Sequence, residues 1–109
     1  MAQVAKYYVK AAMRTNLDSM YTSLTNIIYD MMNGLYSEKE IMGKRMNFDE
    51  VWGLRAEVEY LYNKADFGKV TGKEYGRIKA ISDERNMWRY SRCIASGMSE
   101  DKAAYAFME

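Results

Sequence analysis

Gly68-Lys69-Val70-Thr71-Gly72-Lys73-Glu74 is a helix stop followed at once by a helix start. A glycine past the last helical turn takes a left-handed conformation without a Cβ clash, so it closes the turn. Thr71 then offers an oxygen to the free backbone N–H groups of a new helix. Glu74 stands three residues on, at the capping-box spacing. The same grammar recurs in Gly34-Leu35-Tyr36-Ser37-Glu38-Lys39-Glu40 and, shortened, in Gly97-Met98-Ser99. Leu35 and Met98 are the apolar residues expected to fold back on the turn just ended. Asn47-Phe48-Asp49-Glu50 marks a further start, and Thr15-Asn16-Leu17-Asp18 another. Connections this short make neighbouring helices antiparallel or steeply crossed. The expected fold is all-α: a compact bundle of five to six helices joined by short Gly-Ser/Thr capped turns, a single helical domain over residues 1–109.

Hydrophobic spacing places those helices. The first is expected from Ala2 to about Arg14. The second runs from Asn16 to Asn33, where Leu17, Met20, Tyr21, Leu24, Ile27, Ile28 and Met31 form an almost unbroken stripe. A short third helix covers Glu38 to Met42 and stops at Gly43. The fourth follows Asn47, and its Val51, Leu54, Val58, Leu61 and Ala65 keep a 3,4,3,4 spacing suited to packing on another helix. The fifth is expected to run unbroken from Thr71 to Ser96, across Ser82-Asp83-Glu84. The sixth is the tail from Glu100 to Phe107. Tyr7-Tyr8-Val9 and Ile27-Ile28-Tyr29 are β-prone, but both lie within helical periodicity, so no strand is expected. Gly72, Gly76 and Ala80 recur every four residues, as at a close helix crossing; Gly53 poses the same question.

Composition excludes several classes. At 109 residues the chain can bury roughly two-thirds of its unfolded surface, enough for a core. Sixteen basic residues against fifteen acidic ones leave a net charge of +1. That balance argues against a wholesale nucleic-acid binder and against an acidic mimic of DNA. A single cysteine, Cys93, excludes an internal disulfide. No apolar run has the length of a membrane span and the N-terminus lacks a signal-peptide block, so the expected location is cytoplasmic. Without histidine there is no His-based triad or His metal site. The paired acids Asp49-Glu50, Glu57-Glu59 and Asp83-Glu84 have spacings that do not face each other on a helix. No phosphate-binding glycine loop and no nucleophile elbow occurs. The chain is expected to be no enzyme, with no cofactor and no metal.

One pattern points outward. Arg85, Arg89 and Arg92 fall at i, i+4 and i+7, on one helical face. Like charges so placed repel, which calls for an anionic partner. Trp88 and Tyr90 sit among them, and arginine with aromatics is what interfaces and nucleic-acid grooves share. The candidate partner-binding surface is Arg85, Trp88, Arg89 and Arg92, with Lys73 and Arg77 extending it. The competing reading is that Glu57, Glu59 or Asp66 of the fourth helix pairs with these arginines internally. Leu61 to Arg92 also reads as a helix-turn-helix with the fifth helix as recognition helix. A third reading is an oligomer whose arginines and tyrosines enclose a nucleotide or other anion.

Taken whole, the chain is short, rich in Tyr and Met, dense in Ser/Thr-x-x-Glu helix starts and without catalytic motifs. In this general character it resembles small accessory proteins of bacteriophages, of the host-takeover or anti-defence kind. That resemblance implies a non-catalytic helical protein that inhibits or modulates a host protein or defence complex in the host cytoplasm. The partners it implies are a host protein or complex, or a nucleotide; the readings above add a nucleic acid or a second copy of the chain, and no membrane is expected.

Overall fold

The long apolar stripe of the second predicted helix does build the largest element. A computed structural model describes residues 7–66 and 68–105. Helix α1 spans Ala11–Met32 without interruption, with Leu17, Leu24 and Ile28 buried. The expected break at Thr15-Asn16 is absent. Thr15 Oγ1 donates to the Ala11 carbonyl one turn back, at 3.1 Å, so its hydroxyl is used inside the helix and not as a cap. Nor is there a separate helix before it among the described residues. Tyr7–Tyr8 form a short strand, β1, and residues 2–6 of that expectation lie outside the described ones.

The segment expected to be a third helix is a β-hairpin. Strand β2 (Glu38–Ile41) pairs antiparallel with β3 (Lys44–Asn47) in the register Ile41↔Lys44, Lys39↔Met46. Met42 and Gly43 form its two-residue turn, with φ of 52° and 81°. Two left-handed residues are what a tight hairpin turn matching strand twist requires. Ile41, Met42 and Met46 are buried, and they anchor the hairpin to the core. At Gly43 an added Cβ would lie 2.8 Å from the Cα of Ser91, so the turn rests directly on backbone of a later helix.

Helix α2 (Phe48–Asp66) starts where expected. Asn47 Oδ1 accepts from the Glu50 N–H at 3.0 Å, and Glu50 Oε1 accepts from the Asn47 N–H at 3.2 Å, a reciprocal cap. All five seam residues, Val51, Leu54, Val58, Leu61 and Ala65, are buried, and α2 packs along α1. Each fully buried Val or Leu contributes roughly 1.5–3 kcal/mol. Gly53, by contrast, is exposed with open space around it, so no helix crosses closely there. After α2, Lys69–Val70 (β4) pair antiparallel with β1.

Thr71 then caps α3 (Gly72–Ile81) with the full capping box, its side chain on the Glu74 N–H and the Glu74 carboxylate on the Thr71 N–H. Gly72, Gly76 and Ala80 are buried, and α3 packs against α1, α4 and α5. The expected long fifth helix is two helices. Ser82 ends α3, and Asp83 caps α4 (Glu84–Ala95), accepting from the Arg85 N–H at 2.8 Å. Asn86 Nδ2 donates to the Lys79 carbonyl at 3.0 Å, satisfying the end of α3. Short polar side chains that bond backbone locally compete with helix continuation, and here they win. Gly97 closes α4, and α5 (Glu100–Tyr105) comes next, with Ser99 Oγ accepting from the Lys102 N–H at 3.2 Å. Residues 106 and 107 of the predicted tail lie outside the described ones.

The architecture is therefore mostly helical and not purely all-α: five helices plus two small two-stranded sheets among the described residues. Gly34 and Gly97 do end their helices in the six-to-one and five-to-two bonding of a Schellman closure. Leu35 and Met98 nonetheless remain exposed. No described helix is long and apolar enough to cross a membrane.

Candidate interaction surface

Helix α4 has two unlike faces. Tyr90 is buried, and Met87, Cys93 and Ile94 pack partly against the core. Arg85, Trp88, Arg89 and Arg92 all lie on the exposed side, within an arc of about 100° at helical spacing. Trp88 is 61% exposed. The Arg92 guanidinium carbon stands 5.0 Å from the Trp88 ring centroid, within cation–π range. Four of the six predicted partner-binding residues thus share one open face.

The other two do not join it. The break at Ser82-Asp83 puts Lys73 and Arg77 on a different helix. Lys73 Nζ lies 2.9 Å from Asp101 Oδ1, an ion pair between α3 and α5. Arg77 turns inward, with its side chain only 12% exposed. Its Nε and Nη2 both donate to the Glu57 carboxylate, a bidentate pair, and its Nη1 donates to the Tyr90 hydroxyl at 2.8 Å. This corrects the expectation for Arg77: it is a structural cation matched by α2, the internal pairing that competed with the outward reading. Burial pulls the Arg77 guanidinium down, but the Glu57 carboxylate more than offsets it and holds Arg77 above its ordinary value. Burial also pushes the Tyr90 phenol up, against the pull of Arg77. The helix break is what makes this trio possible. On a continuous helix, residues 77 and 90 would stand about 20 Å apart at 1.5 Å per residue.

The inward packing of α3 also bears on the helix-turn-helix reading. The first half of the expected recognition helix is α3, in which Gly72, Gly76, Ile78, Ala80 and Ile81 are all buried. It packs against α1, α4 and α5, while Lys73 stays exposed on its outer side and α4 carries the exposed arginines. Cys93 is a half-buried free thiol. Among the described residues no three His, Cys, Asp or Glu side chains gather as metal ligands do.

A second aromatic–arginine arrangement escaped the sequence reading. It runs along the groove between α1 and α2. The Arg14 guanidinium lies 4.1 Å from the Tyr62 ring centroid and 3.3 Å from Asp66. The Arg55 guanidinium is near both Tyr21, at 4.4 Å, and Trp52, at 5.2 Å, and its Nε donates to Thr25 Oγ1 at 2.8 Å. Phe48 stacks on Trp52 with centroids 6.1 Å apart. The available signal was the i, i+3 spacing of Trp52 and Arg55. The Tyr21 and Tyr62 partners come from the facing helix and leave no local trace.

Compared with known protein families, with curated proteins and with solved structures, the chain finds no match in any of the three. The functional reading therefore rests on the surface chemistry alone.

Proposed function

We propose that this protein is a non-catalytic helical interaction protein that modulates a partner through the outer face of α4. The observation that carries this reading is an exposed tryptophan under an arginine, flanked by Arg85 and Arg89 on one helix. Tryptophan and arginine are the residue types that dominate binding energy when a partner covers them. A large ring left in water gains from being buried there. The cationic surround selects an acidic surface and speeds encounter with it. In keeping with the likeness to phage accessory proteins, the partner in this reading is a protein or defence complex of the host.

The test is charge reversal at Arg89 and Arg92. Affinity capture from host extract should retain an acidic-surfaced protein with the wild type. The Arg89→Glu/Arg92→Glu variant should lose it while its far-ultraviolet circular dichroism is unchanged. Equal capture by both proteins overturns the reading. Binding of duplex DNA that weakens steeply with salt would replace it with the nucleic-acid alternative. Thermal stabilisation by nucleotides would replace it with the anion-sequestering one.

A further inference from the structure

The α1–α2 groove alternates cations and rings, and between Tyr62 and Tyr21 it opens into a cavity. Along the groove come Arg14, Tyr62, a cavity, Tyr21, Arg55 and Trp52. The cavity, about 210 Å³, is floored by Leu17 and Val58 and walled by Tyr21, Tyr62, Asp18 and Glu59. Each tyrosine ring already has a guanidinium over it, Arg14 at 4.1 Å from the Tyr62 centroid and Arg55 at 4.4 Å from the Tyr21 centroid, so both rings of the cavity are ones that arginine stacks on in this fold. Asp18 and Glu59 form no ion pair among the described residues, although each belongs to a helix with arginines one turn away. Charge along the groove is left uneven. Among these described residues, Asp18, Glu59 and Asp66 supply three carboxylates against the two guanidinium groups of Arg14 and Arg55.

We propose that this cavity is a binding site for a single guanidinium group, inserted between Tyr21 and Tyr62 and held by Asp18 and Glu59. A guanidinium is flat, weakly hydrated and forked, so it suits a floor of aliphatic carbon, aromatic walls and two carboxylates better than a compact, strongly hydrated ammonium does. The volume agrees, because it is below that of pockets for drug-sized ligands and has room for one head group but not a nucleotide. The guanidinium is either an arginine side chain of a protein partner or a small free guanidine. This site shares no residue with the α4 face, so either proposal can fail without the other.

The experiment is a heteronuclear NMR titration of the full chain with N-acetyl-arginine amide, with the neutral isostere N-acetyl-citrulline amide as control. Arginine amide should shift the signals of Asp18, Tyr21, Glu59 and Tyr62, saturating on the order of millimolar, as a half-open site for one head group predicts. Citrulline amide should shift none of them. Asp18→Asn and Glu59→Gln should each weaken binding about fivefold, the upper end for a partly exposed ion pair. The double variant should abolish it with the remaining spectrum unchanged. Tighter binding of arginine within a blocked tripeptide than of agmatine identifies a partner's side chain as the source. The reverse order identifies a free guanidine. Three results overturn the proposal: no shifts with arginine amide, equal shifts with citrulline amide, or undiminished binding by the double variant.

Discussion

Ser37-Glu38-Lys39-Glu40 and Thr71-Gly72-Lys73-Glu74 carry the same Ser/Thr-x-x-Glu signal, yet the first opens a strand and the second a helix. The difference lies in the residues beyond each glutamate. After Glu74 the chain has Gly76, Ile78, Ala80 and Ile81 to bury, and α3 packs against α1, α4 and α5. After Glu40 the chain soon reaches Gly43, which takes φ of 81°, and so short a stretch cannot repay helix nucleation. Strand spacing does serve that segment. The register puts Ile41 and Met46 on the inner face, while Glu38 and Arg45 face outward and pair at 3.4 Å. A capping signal permits a helix. A stripe long enough to be buried is what produces one.

The sharpest way to break this contrast is at the hairpin turn. Gly43→Ala should cost roughly 3 kcal/mol, combining a left-handed penalty with a backbone clash at Ser91. Urea unfolding measures it, and a loss under about 0.5 kcal/mol would show that the turn does not pin the hairpin on α4. A middle-sized effect separates the two capping signals directly. Thr71→Ala should cost about 1 kcal/mol, because it removes a cap that is in use. Ser37→Ala should stay within about 0.5 kcal/mol, since no helix begins there. Equal losses at the two sites would mean that Ser37 has a structural role of its own.

The smallest expected effect is the response to acid. Burial tends to raise the Glu74 carboxyl, but hydrogen bonds from the Thr71 N–H, the Tyr60 hydroxyl and the Thr71 side chain hold it below its ordinary value. The unfolded chain therefore takes up the proton first as pH falls, and stability rises with pH across that window. Stability should decline as pH drops below about 4.3. Glu74→Gln should make that decline shallower in unfolding measured across the acid range. An identical acid profile would show that the capping carboxylate has no share in it.

What was legible in the sequence was local. The seam of α2, the stripe of α1, the Thr71 box and the Asn47 start all lie within a few residues of their own cause. The exposed grouping of Arg85, Trp88, Arg89 and Arg92 was also readable, because one helix face fixes it. Three other features were not decided by local causes alone. The hairpin depended on where Ile41 and Met46 could be buried. The break at Ser82-Asp83 depended on whether α4 gained by folding back to bring Tyr90 to Arg77. The groove between Tyr62 and Tyr21 depended on two helices aligning.

By itself the sequence determined that most of this chain is helical, where most helices start, and which face of α4 is cationic, because caps and helical periodicity act over one or two turns. Only the tertiary structure decided that Arg77 is enclosed by Glu57 and Tyr90, that residues 38–47 pair as strands, and that Asp18 and Glu59 share a cavity with two tyrosines. Those outcomes rest on which surfaces bury one another between segments far apart along the chain, and no local spacing records that choice.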